Sequence, residues 1–135
     1  MDKKLSLEQI ENNAWGEAPA DATGLMRTVY NLRGKPIGEL EPGDIRTLLS
    51  QQEGIKILLP AALDLLESEP LMDASYYAGD LLAAVLRLPQ SHWTANPTNR
   101  TRIEEIIKRA KHMLDLDEDL STPNKAIEEA VENFT

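Results

Sequence analysis

The stretch Gly79-Asp80-Leu81-Leu82-Ala83-Ala84-Val85-Leu86-Arg87-Leu88-Pro89 decides the fold. As a helix it is apolar nearly all round, so it has to be enclosed by other elements. Read from about Tyr76 to Leu88, it carries Leu81, Leu82, Val85 and Leu86, and Pro89 stops it. It predicts a central helix inside a shell of amphipathic ones.

Both flanks supply that shell. Upstream, Ile55, Leu58, Leu59, Ala62, Leu63, Leu65 and Leu66 keep the helical period between Gly54 and Pro70, with Pro60 marking a kink or a start. Pro42 suits the first position of a helix carrying Asp44 in its first turn and Ile45, Leu48 and Leu49 on one face. Ile37 and Leu40 anchor the connector 35–41. Thr23 opens a helix with Leu25, Val29 and Leu32 toward the core, closed by Gly34 and Pro36. Ser6 with Gln9 forms a capping box for a short first helix, which Trp15 to Pro19 breaks.

Downstream, Pro89 to Asn96 allow a single turn around Trp93, and Asn96-Pro97 reads as cap and first position of a long helix. Ile103, Ile106, Ile107, Ala110 and Leu114 line it, with Glu104–Lys108 and Glu105–Arg109 as i, i+4 pairs. Thr122-Pro123 opens a last helix bearing Ala126, Ile127, Ala130 and Val131. No strand-like alternation, internal repeat or separating linker interrupts this pattern. The expectation is an all-α, compact single domain over 1–135, a bundle of six to seven short helices.

A chain of 135 residues with 41% hydrophobic and 27% charged residues has the composition of a soluble globular domain. It has no apolar run long enough to span a membrane and no apolar signal-peptide core after Met1. With zero cysteines it has no disulfide and no thiolate chemistry. These features favour a cytoplasmic protein with no membrane partner.

The net charge of −9 is unevenly spread: zero over 1–36, −7 over 37–80, +4 over 81–114 and −6 over 115–135. Acidic stretches on both sides of a basic one argue against nucleic acid, which needs clustered Lys and Arg. They favour encounter with a cationic protein, although acidity also serves solubility alone.

Signatures of catalysis are missing. His92 and His112 have neither a helical metal-pair spacing nor a Glu-x-x-His setting. Asp115, Asp117 and Asp119 begin like a calcium loop, but Leu120 stands where the sharp turn needs Gly and Ala126 where a bidentate Glu is required. Gly34 and Gly38 lack the spacing of a phosphate loop. No serine has a nucleophile-elbow setting, and neighbouring carboxylates such as Glu104 and Glu105 read as solvated charge. No catalytic residue, cofactor or metal is assigned.

What remains is a binding surface. Glu67, Glu69, Asp73, Tyr76, Tyr77 and Asp80 bring acids and tyrosines together between two helices, with Glu39, Glu41 and Asp44 as possible neighbours. Tyrosine is favoured at interfaces, and carboxylates there would meet Arg or Lys. Tyr76 and Tyr77 read equally well as the start of a buried helix.

Several blocks also resemble the immunity proteins of contact-dependent growth inhibition (CDI) systems. They are Leu5-Ser6-Leu7-Glu8-Gln9-Ile10-Glu11, Trp15-Gly16-Glu17, Lys35-Pro36-Ile37-Gly38-Glu39-Leu40, Gln51-Gln52-Glu53-Gly54, Pro60 to Glu67, and Gly79 to Leu86. They spread over roughly residues 5–95, and beyond about 100 only the helical character is shared. The resemblance implies a bacterial protein that binds and neutralises the toxic C-terminal domain of a large secreted effector, without catalysis. Such toxins are often nucleases with basic faces. The resemblance carries over no contact residues; the chain is expected to be a monomer alone and a heterodimer with toxin. Competing expectations are a small enzyme or metal-binding protein using His92 or His112, and an oligomerising scaffold.

Overall fold

In the computed structural model, residues 3–116 and 122–134 are described. Among them are eight α-helices: α1 (Leu7–Glu11), α2 (Gly24–Arg33), α3 (Pro42–Ser50), α4 (Ile55–Ser68), α5 (Asp80–Leu86), α6 (Gln90–Thr94), α7 (Pro97–Leu116) and α8 (Thr122–Phe134). A 3-10 turn spans Ile37–Glu39. There is no strand among the described residues, only two isolated bridges, Ser6 with Pro36 and Asp73 with Ala78. The architecture is all-α. The count exceeds seven because the segment around Trp93 is a helix of its own.

The local signals account for the ends. Ser6 Oγ accepts from Gln9 N at 3.3 Å while Gln9 Oε1 accepts from Ser6 N at 2.9 Å, which completes the capping box. Thr23 caps α2 through Met26 N at 3.1 Å, and Asn96 caps α7 through Asn99 N at 3.2 Å. Pro60 lies inside α4, which continues through it.

Every residue of α5 is buried, and the helix packs on α3, α4 and α8. One hydrophobic cluster runs from Leu7 in α1 to Phe134 in α8, and the Trp93 ring meets Phe134 edge-on at 5.5 Å. Trp15 is only half-buried; it packs edge-on against Tyr30 at 4.9 Å and under the Arg33 guanidinium at 4.4 Å.

Three sequence expectations need correction, and a fourth lies mostly outside the described residues. The central helix begins at Asp80 instead of Tyr76, because the Asp80 carboxylate captures the backbone N–H groups of Ala74, Ser75 and Tyr76 and Gly79 turns with φ +88°. Leu25 is 47% exposed, so the core stripe of α2 is Val29 and Leu32. On α7, Glu104 pairs with Arg100 and Glu105 approaches Lys108, while Arg109 reaches across to the Glu67 carbonyl. The calcium-loop comparison falls largely on 117–121, outside the described residues, as do the side chains of Leu114 and Ala126.

Candidate functional site

Helix α3 has a depression on each side. On its α4 side, Leu40, Pro42 and Ile45 face Ala61, Leu65 and Met72 across a groove of about 550 Å³, closed by Lys3, Gly38, Pro60, Asp64 and Ser68. On its α5 side, Arg46, Leu49 and Ser50 face Asp80, Ala84 and Arg87 around a cavity of about 330 Å³. The loop from Glu69 to Gly79 passes between them. It rests on Gly43 so closely that a Cβ there would lie 2.6 Å from Ser75 Oγ and 3.0 Å from the Ala74 carbonyl. Close approach of loop to helix is what requires glycine at 43.

Asp80 builds that loop. Its Oδ1 accepts from Ala74 N at 2.7 Å, and its Oδ2 accepts from Ser75 N and Tyr76 N at 2.9 Å each. At 2% exposure it is a structural anchor and not a surface contact, which corrects its place in the expected patch. Arg46 Nε stands 3.6 Å from Asp80 Oδ2, and the Arg46 guanidinium lies 4.5 Å from the Tyr76 ring centre. Tyr76 is held in this way although 72% of its surface is exposed. Tyr77 is half-buried and lines the α5-side cavity.

The remaining expected residues divide around the α4-side groove. Glu39 and Glu41, both exposed, alternate with the lining residues Gly38, Leu40 and Pro42 on one wall. Glu67, Glu69 and Asp73, also exposed, adjoin the lining residues Ser68 and Met72 on the other. Asp44 is turned to other work: its Oδ2 accepts from Glu41 N at 3.0 Å and lies 3.4 Å from Lys35 Nζ.

Glu67 is also committed in part. Arg102 on α7 donates through Nε to its Oε2 at 3.1 Å and through Nη2 to Asp64 at 2.6 Å, while Arg109 donates to the Glu67 carbonyl. The Arg102 hydrogen bond holds the Glu67 carboxyl below its ordinary value of 4.5, against a smaller opposing effect of burial. The same bond raises Arg102, so both stay charged at any ordinary pH. Part of the basic segment 81–114 therefore answers acids within the fold.

The α5-side cations Arg46 and Arg87 were not anticipated, since a lone Arg on a helix reads as solvated charge. The α4-side groove was equally hidden, because its walls come from three separate segments. His92 is half-buried on α6 and His112 exposed on α7. Among the described residues no group of three or more His, Cys, Asp or Glu could hold a metal ion. No helix among them is long and apolar enough to cross a membrane.

A family model described as CDI immunity proteins matches residues 9–103, well over half of the chain. The chain belongs to the CDI immunity proteins. The match runs from α1 into the second turn of α7, and so includes both flanks of α3 and the loop that Asp80 holds. This immunity protein has no match among curated proteins or solved structures.

Proposed function

We propose that this immunity protein acts in the cytoplasm as a non-enzymatic inhibitor. It binds the C-terminal toxin domain of its cognate effector through the α4-side groove and the acids flanking it. The role rests on the family match over residues 9–103. The face rests on one observation: an apolar groove with exposed Glu39 and Glu41 beside one wall and Glu69 and Asp73 beside the other. An apolar side chain entering between carboxylates is desolvated while Lys or Arg around it pairs with them, which joins fast encounter to slow release. A basic, nuclease-type toxin has the complementary surface, and a one-to-one complex would occlude its active site or another surface it needs. Exposed Tyr76 extends the contact beyond the groove.

Co-expression with the C-terminal domain of the large exported protein encoded just upstream tests the role. Restored growth together with a stable one-to-one complex is expected. Growth arrest without a complex, from a toxin fragment shown to be folded, contradicts it.

A further inference from the structure

The α5-side cavity has a chemistry opposite to that of the groove. Two guanidinium groups, Arg46 and Arg87, line it with the polar side chains of Ser50, Gln52 and Tyr77, and among the described residues the only acid in the lining is Asp80. Asp80 already accepts three backbone N–H groups, and at 3.6 Å it is too far from Arg46 Nε for a hydrogen bond. Arg46 Nε is consequently a buried donor without an acceptor. Arg87 is exposed and has no ion pair among the described residues. A buried donor left open, in a cavity shared with a cation that has no ion pair among the described residues, calls for an anion.

We propose that this cavity is a socket for a carboxylate of the toxin, an Asp or Glu side chain inserted between Arg46 and Arg87; the toxin as partner rests on the immunity reading above. A guanidinium presents its donors in a planar fork that matches a carboxylate. At about 330 Å³ the cavity is at the small end of ligand sites and admits an acidic side chain with room to spare. A polyanion such as nucleic acid would be repelled by the acids on the other flank of α3, whereas one carboxylate on a cationic partner is not. The two flanks together then read opposite charges at fixed spacing across one helix, which gives the interface orientation as well as attraction.

The test has two arms. In the first, the isolated protein is titrated with N-acetylglutamate α-amide, with N-acetylglutamine amide and with inorganic phosphate, while the arginine Nε–H resonances are followed by NMR. Saturable shifts of Arg46 and Arg87 with the glutamate compound alone are expected, weakened about tenfold or more by Arg87→Gln, the factor for 1.4 kcal/mol. Arg87 has no ion pair among the described residues, so the variant should keep the wild-type circular dichroism. No saturation, equal response to the glutamine compound, or preference for phosphate overturns the proposal. In the second arm, Arg87→Gln should speed dissociation from the toxin domain about tenfold. Equal binding by wild type and variant overturns the socket and leaves the immunity reading intact. A toxin bound by neither, with the glutamate compound still saturating the site, removes the immunity reading and this partner with it.

Discussion

Arg33 and Arg102 each gather two carboxylates, but one network is inside the fold and the other on its surface. Arg33 is 1% exposed; its Nη1 donates to Glu11 at 2.7 Å and to Glu53 at 3.1 Å, and its Nη2 to the Asn13 carbonyl at 2.8 Å. It ties the chain between α1 and α2 to the end of α3, with Trp15 stacked on it. Arg102 joins α4 to α7 through Asp64 and Glu67, whose side chains remain substantially open to water. Burial sets the difference. The Arg33 guanidinium stripped of its acids is a charge with no water to solvate it, whereas Glu11 and Glu53, at 33% and 25% exposure, keep some water of their own. At the surface, water and salt take over most of that work. The acids around Arg33 therefore belong to the fold, whereas those near the groove are available to a partner.

Removing Arg33 should be the most damaging change. Arg33→Ala is expected to cost about 2–3 kcal/mol in urea denaturation, from the packing of a buried arginine and its charged hydrogen bonds to two partly exposed acids. A loss below about 1 kcal/mol would mean that the water already reaching Glu11 and Glu53 replaces the pairing with Arg33. Arg33→Lys should recover little, since one ammonium cannot reach both acids and the Asn13 carbonyl in a fork.

Asp80→Ala comes next, at about 1–3 kcal/mol, because three backbone donors lose their acceptor. Hydrogen exchange should speed up at Ala74, Ser75 and Tyr76 and stay slow in the core of α4. Uniform acceleration would show that the loop and the core open together.

Arg102→Ala should cost less than about 1 kcal/mol. Acid titration sharpens the same contrast. Folding lowers the Glu67 pKa below 4.5, so the folded state holds that proton less tightly than the unfolded chain does. Its contribution is complete above pH 4.5 and disappears as the pH falls through the lower folded-state value. Glu67→Gln should therefore lose less stability than wild type between pH 5 and pH 3. Parallel curves would contradict a pairing with Arg102.

The parts of this structure that follow from neighbours in sequence were legible. The continuous apolar run 81–86 gave a fully buried helix, and Ser6, Thr23 and Asn96 capped as their spacing demanded. What depended on distant partners was not. Nothing beside Asp80 announces that it will fold a loop back onto itself, and Arg33 has the same sequence setting as an exposed helix-end cation. The expected acidic patch mixed both kinds: Glu39, Glu41, Glu69 and Asp73 are exposed near one groove, while Asp80 and Asp44 serve backbone donors and Glu67 shares itself with Arg102.

The central claim is that the acids flanking the groove, and not those tied into the fold, meet the toxin. The dissociation constant of the toxin complex, measured against salt concentration for wild type and for the Glu69→Lys/Asp73→Lys variant, tests it most directly. Binding weakened about tenfold or more at low salt, with a shallower salt dependence, is expected. Unchanged affinity at low salt would contradict the claim and place the toxin elsewhere on the molecule.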